Sequence, residues 1–250
     1  MAFFDSDGVQ IYYQEHGAGE PVVMVHGFAS HSDNNWGPMW FTFLAPHFRV
    51  IAIDCRGHGK SGKPHDAAAY GAEKMGDDVI RLLDHLKIQR ALLMGYSMGG
   101  RISMGLLGNH PERFRAVVLG GIGAGIALND PARRKGIADA LLADDDSAVK
   151  NEMAKQFRDF AKSVGNDLKA LGAVMSGASL ALDLGKFASN KVPVLIVIGT
   201  KDELVGSAEP LQNAIAGSRL LRLEGRDHLS APSDKRYMEE ALRFLQRAPK

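Results

Sequence analysis

Six short apolar runs recur along this chain: Val22–Val25, Val50–Ile53, Ala91–Met94, Ala116–Leu119, Val194–Ile198 and Leu220–Leu223. A strand with one wet face would alternate apolar and polar residues, whereas only the last of these runs contains a polar side chain, Arg222. Unbroken runs of this length are expected of strands covered on both faces, as in a parallel sheet with helices above and below. Helix-like segments lie between them. Glu73 to Leu86 places Met75, Val79, Leu82, Leu83 and Leu86 near one face, and Met98 to Asn109 ends just before Pro111. Ser233 to Gln246 closes the chain, with Ser233 as the candidate cap. Alternation of this kind implies an α/β fold with a doubly wound, mostly parallel sheet of about eight strands. Val9 to Tyr13 alternates more and is expected to add an antiparallel edge strand.

The rhythm breaks between Ile126 and Asn190, where three helix-like pieces (132–143, 147–164 and 167–179) follow one another without a strand run. The expected organisation is therefore a core of residues 1–125 and 191–250, interrupted by a helical cap, or lid, of residues 126–190.

A formal net charge of +1 gives no electrostatic case for nucleic acid or an acidic membrane surface as partner. The densest basic group, Arg133-Arg134-Lys135, reads as a solvated helix face. The single cysteine, Cys55, excludes an intrachain disulfide. No basic segment followed by an apolar stretch opens the chain, so no signal peptide is expected. The apolar runs fall far short of the roughly 20 residues that span a bilayer. A soluble cytoplasmic protein, monomeric or homodimeric, is the expectation.

The sharpest local signal is Gly95-Tyr96-Ser97-Met98-Gly99-Gly100, between an apolar run and a helical segment. This is the strand–turn–helix setting that a Gly-x-Ser-x-Gly nucleophile elbow requires, the plainer alternative being a glycine-rich turn with a capping serine. The tight turn lifts the serine hydroxyl above the sheet, and the flanking glycines avoid clashes with neighbouring chain. The Met98 N–H then stands at a helix N-terminus, aimed at developing negative charge.

A serine hydroxyl needs a base, and the base needs an orienting acid. Behind such an elbow the chain order is serine, acid, histidine. Only His110 and His228 follow Ser97. About twelve helical residues at about 1.5 Å each put His110 roughly 18 Å away, which leaves His228 as the base. The acid should leave a strand's carboxyl end. After the run 194–198 comes Gly199-Thr200-Lys201-Asp202-Glu203, which makes Asp202 the candidate and Glu203 its nearest competitor. Asp227 adjoins His228 and is disfavoured, because adjacent side chains rarely face one another. The loop His26-Gly27-Phe28-Ala29-Ser30 should supply the second oxyanion donor through the Phe28 N–H, with His26 structural.

Taken together, His26-Gly27-Phe28, Asp54-Cys55-Arg56-Gly57-His58-Gly59-Lys60-Ser61, the Ser97 elbow, Gly199-Thr200-Lys201-Asp202 and Asp227-His228 resemble the α/β-hydrolase superfamily, in particular its small esterase and lipase-like members with a helical cap. The resemblance runs from about residue 8 to 245. It implies a Ser97–Asp202–His228 triad, an oxyanion hole from Phe28 and Met98, and structural roles for Arg56 and His58. Dehalogenases and epoxide hydrolases of this fold carry an aspartate nucleophile where this chain has serine.

The activity implied is hydrolysis of small to medium carboxylic esters through an acyl-enzyme, oligomeric polyesters included, with no metal and no cofactor. Candidate substrate contacts are Trp36, Tyr96, Met153, Phe157 and Met175. The same triad would also serve carbon–carbon (diketone) or lactone hydrolysis, acyl transfer, or a perhydrolase or haloperoxidase-like reaction. A ligand-binding receptor on a hydrolase scaffold is the reading from another class.

Overall fold

A computed structural model describes residues 2–125, 130–178 and 182–249. The chain opens with a hairpin, β1 (Ala2–Ser6) and β2 (Val9–His16), turned through Asp7 and Gly8, both at positive φ as a two-residue hairpin turn requires. Six more strands follow: β3 (Pro21–Val25), β4 (Arg49–Ile53), β5 (Ala91–Tyr96), β6 (Phe114–Gly120), β7 (Val194–Gly199) and β8 (Arg219–Leu223). They form one sheet in the order β1-β2-β4-β3-β5-β6-β7-β8, parallel from β4 to β8 and antiparallel at the hairpin end. All six apolar runs are strands. The antiparallel strand expected at the edge, Val9 to Tyr13, is β2 and lies one place in; β1 occupies the edge.

Successive residues of the central strands feed two different cores, which is why the runs do not alternate. Val23, Val25, Leu93, Val117 and Ile196 pack on one face with α3 (Ala72–His85) and α4 (Met98–Asn109). Val22, Met24, Leu92, Val118 and Val197 face the other way, onto α2 (Gly37–Leu44) and the C-terminal α9 (Lys235–Gln246). A single turn, α1 (Ser32–Asn35), precedes α2. The cap of α9 is Asp234, whose carboxylate accepts the Arg236 N–H at 2.8 Å; it stands one residue beyond the Ser233 expected from sequence.

Between β6 and β7 lie α5 (Pro131–Leu142), α6 (Glu152–Ser163) and α7 (Leu168–Ser176), with no strand among the described residues. A short α8 (Glu209–Ala214) follows β7. The expected start of the insertion, Ile126, and the end of its third helix, Ser179, lie outside the described residues. Arg158 of α6 is buried and ties that helix to the end of α5 and to the turn between them. Its guanidinium donates to Asp146 at 2.7 Å and to the Ala140 and Leu141 carbonyls at 2.8 and 3.0 Å. Asn166 fastens that layer to the sheet: its Nδ2 donates to the Ala29 carbonyl at 2.9 Å, and its Oδ1 accepts the Gly59 N–H at 3.0 Å.

The Asp54–Ser61 turn is structural in its contacts. Arg56 makes a buried two-pronged pair with Asp78, at 2.7 and 2.6 Å. His26 accepts the Cys55 N–H at Nε2 (2.9 Å) and donates from Nδ1 to the Gly27 carbonyl (2.7 Å), so it links this turn to the loop after β3. His58 packs edge-on against His26, 5.1 Å between centroids.

Burial, and then the neighbouring His26, push the His58 pKa down to about 3, while burial lowers that of His26. The unfolded chain takes up these protons near pH 6.5, whereas folded His58 takes up its own only near pH 3. Between those values the unfolded state binds more protons, so stability is retained above about pH 6.5 and lost as the pH falls. The slope for His58 is at most about 1.4 kcal/mol per pH unit. Urea unfolding at pH 6.5 and pH 5 should therefore differ by about 1.5 kcal/mol more in the unaltered protein than in His58→Asn. The same pH dependence in both proteins would contradict the assignment.

Candidate active site

Ser97 stands between the end of β5 and the first residue of α4, at φ 55° and ψ −113°. A non-glycine residue held there is strained, and such strain persists only where surrounding structure imposes it. Close packing imposes it here. A Cβ at Gly99 would run into the carbonyls of Val25 and His26, and one at Gly95 into the Gly99 carbonyl and the Ser103 hydroxyl. The Ser97 N–H is held by the Gly120 carbonyl of the next strand at 2.8 Å.

His228 follows β8, and its Nε2 lies 2.9 Å from Ser97 Oγ. Its Nδ1 lies 2.7 Å from Asp202 Oδ2, in the loop that leaves β7. The two loops are laced together: Lys201 N–H donates to the Arg226 carbonyl at 2.8 Å, and Gly225 N–H to Thr200 Oγ1 at 2.9 Å. The Asp202 side chain is fully buried, while Glu203 is exposed. Asp227 points elsewhere, accepting from the Ser230 N–H and hydroxyl at 2.8 and 2.7 Å. With Asp202 on Nδ1, Nε2 is left to accept the serine proton.

The loop after β3 passes close to the serine, since a Cβ at Gly27 would sit 3.4 Å from that of Ser97. Asn35 Oδ1 holds the Gly27 N–H at 2.8 Å, and Asn166 Nδ2 donates to the Ala29 carbonyl at 2.9 Å. Phe28 and Met98 both line the cavity that contains Ser97. Met98 is the first helical residue, so its N–H has no acceptor within the helix.

Two hollows meet at Ser97. A cavity of about 110 Å³ runs under α5 and is lined by Phe28, Met98, Arg101, Asp130, Arg133, Arg134, Ile137, Phe157, Met175 and Leu204, among others. A groove of about 430 Å³ on the other side is lined by Trp36, Met39, Tyr96, Phe157, Phe160, His228 and Leu229, among others. A larger hollow of about 550 Å³, beside α3 and α4, contains neither Ser97 nor His228.

Phe157 thus faces both compartments and Met175 the smaller one. Trp36 reaches the groove but is otherwise core, 1% exposed and edge-on to Trp40. Tyr96 lines the groove too, and its hydroxyl is committed to the His228 carbonyl at 2.6 Å. Met153 lines neither compartment.

The largest departure from the sequence reading is Arg133-Arg134-Lys135. Only Lys135 is solvated, paired with Asp139 at 2.7 Å. Arg133 and Arg134 are half-buried against the cavity. α5 is covered by its neighbours on more than one side, so it shows no apolar stripe that would have separated an inner from an outer face. Arg101 was also missed, as was Asn166; neither belongs to any motif.

Among the described residues, no three His, Cys, Asp or Glu side chains are grouped so as to hold a metal ion, and no helix is long and apolar enough to cross a membrane.

A profile of the family described as alpha/beta hydrolase fold matches residues 20–178. A putative 2-succinyl-6-hydroxy-2,4-cyclohexadiene-1-carboxylate synthase of Bacillus subtilis is 36% identical over 144 residues, 56% of this chain and 50% of that protein. The chain thus spans about half the length of that curated relative. Over nearly the whole chain, the fold is similar to an enol-lactonase of Burkholderia xenovorans LB400 (26% identical, TM-score 0.77, 98% and 100% of the two chains). It is likewise similar to an esterase of Exiguobacterium antarcticum (25%, TM-score 0.81, 98% of each chain).

Proposed function

Since the chain belongs to the α/β-hydrolase fold family, with a nucleophile elbow occupied by serine, we propose that it is a serine hydrolase cleaving small carboxylic esters through an acyl-enzyme. The observation that carries this reading is the continuous line Ser97 Oγ – His228 Nε2 – His228 Nδ1 – Asp202, with contacts of 2.9 and 2.7 Å. His228 takes the Ser97 proton as the hydroxyl attacks the acyl carbonyl. The N–H groups of Phe28 and Met98 hold the oxyanion; one such donor typically lowers the barrier by about 2.7–4 kcal/mol. Collapse expels the alcohol, which takes the proton from His228, and the histidine then activates water to release the acid. Asp202 keeps Nδ1 protonated and stabilises the charged imidazole. Helices α5 to α7 serve as the cap, with Phe157 and Met175 as substrate contacts.

A cavity of about 110 Å³ is small beside the roughly 300–1,000 Å³ of a pocket for a drug-sized ligand, which favours a short acyl chain. With p-nitrophenyl acetate, butyrate and decanoate, kcat/KM should fall by about tenfold or more from butyrate to decanoate, since the cavity has no room for the longer chain and forcing extra methylenes into a filled space costs about 1–3 kcal/mol. Folded protein that turns over none of the three would overturn the hydrolase reading. Equal rates on all three would overturn the short-chain assignment.

Lactone hydrolysis stands as the second reading, favoured by the likeness to an enol-lactonase along the whole chain. It needs the same attack and the same oxyanion donors, with the alcohol remaining tethered to the acyl group.

A further inference from the structure

The two compartments at Ser97 are chemically unlike, and only one can take the acyl part of a substrate. A leaving alcohol must receive its proton from His228, and His228 lines the 430 Å³ groove but not the 110 Å³ cavity. The acyl part therefore enters the cavity. Its walls are apolar at Phe28, Ile137, Phe157, Met175 and Leu204, yet Arg101, Arg133 and Arg134 line it too, with Asp130 as the one carboxylate among the described lining residues.

We infer that the substrate's acyl group carries a carboxylate of its own, held in this cavity by Arg101, Arg133 and Arg134; the inference rests on the hydrolase reading above. Arg101 is on the first turn of α4, and its N–H donates to the Ser97 carbonyl at 3.0 Å. It is only 8% exposed. Arg134 points its Nη2 at the Val174, Met175 and Gly177 carbonyls, at 3.1, 2.7 and 3.0 Å, which pins the guanidinium beside the cavity. Arg133 is fixed in the same way by the Leu204 carbonyl at 2.8 Å. Among the described residues neither Arg133 nor Arg134 has a carboxylate within ion-pairing distance.

Burial disfavours the charge of arginines in a small apolar space; Asp130 and Asp202 offset this at Arg133 without a contact at ion-pairing distance, and a bound anion would add to that compensation. Burial, and then the charge of Arg134, hold the Arg101 pKa down to about 10, and burial also lowers those of Arg133 and Arg134. All three remain cationic at neutral pH. Planar forks of N–H donors, already oriented by backbone carbonyls, suit a carboxylate. Ser97 and the three arginines line one cavity of only about 110 Å³, so a carboxylate held there would sit a short distance beyond the scissile carbonyl. A half-ester of a short dicarboxylic acid has this shape.

The test compares monomethyl glutarate with methyl pentanoate, a neutral ester of the same length, by release of acid in a pH-stat. The unaltered protein should favour the anionic ester in kcat/KM by about tenfold to a hundredfold, the range for hydrogen bonds to a charged group. In Arg133→Gln and, separately, Arg134→Lys, that preference should shrink by about tenfold. It should persist in Lys135→Ala, whose side chain is exposed on the same helix.

Binding of both esters to Ser97→Ala, measured by calorimetry, gives the same comparison without turnover and so separates the two claims. Equal kcat/KM and equal binding of the two esters would overturn the carboxylate inference and leave the hydrolase reading standing. Tighter binding of the half-ester with no turnover of any ester would overturn the hydrolase reading alone.

Discussion

Replacing Ser97 with alanine is expected to lower kcat for a short ester by on the order of 10⁶, while KM changes little. Only the hydroxyl oxygen is lost, and on the proposed mechanism it would bond covalently to the substrate in the chemical step rather than contribute to simple binding. What remains would come from the oxyanion donors and from positioning, which together still exceed the reaction in water. His228→Ala should be impaired to the same order, because a hydroxyl without its base is no better than a missing hydroxyl. The double variant should be no slower than either single one, since the two groups act as a unit. Steady-state rates on p-nitrophenyl butyrate decide this. Additive losses would mean that the two side chains, 2.9 Å apart, work independently.

Asp202→Asn carries the second large effect, a fall of on the order of 10⁴ in kcat with the fold intact. An amide is nearly the same size as a carboxylate but can donate to Nδ1, which favours the tautomer with its proton on Nε2. That proton then faces Ser97, and the base has nothing with which to accept. The buried charge that would stabilise the imidazolium is lost in the same substitution. Glu203→Gln and Asp227→Asn should each stay within about threefold of the unaltered rate, because Glu203 is exposed and Asp227 is engaged with Ser230. A severe loss in Glu203→Gln together with a mild one in Asp202→Asn would move the role to Glu203.

What could be read from the chain beforehand followed from periodicity and from turn chemistry. Strands buried on both faces leave runs such as Val194–Ile198, and the glycines around Ser97 are demanded by carbonyls that approach within the reach of a Cβ. Residues distant in sequence, Asp202 and His228, were reachable because each leaves a strand at the same end of the sheet. β1 escaped notice because it is five residues long and only partly buried, although Asp7-Gly8 marks its turn. The arginines escaped for a different reason. A run of basic residues looks the same on a wet face and on a cavity wall, and only tertiary packing distinguishes them. Cap chemistry was similarly ambiguous, with Ser233 and Asp234 adjacent and only the second aligned with the first turn of α9.

The most direct measurement is covalent trapping. Incubation with an aryl alkylphosphonate, followed by peptide mapping in a mass spectrometer, should place a single adduct on the peptide that contains Ser97. Labelling of His228→Ala should be slower by about a thousandfold or more, as expected when the hydroxyl loses its general base. An adduct on any other residue, or labelling of Ser97 at the same rate with and without His228, would contradict a serine nucleophile activated by that histidine.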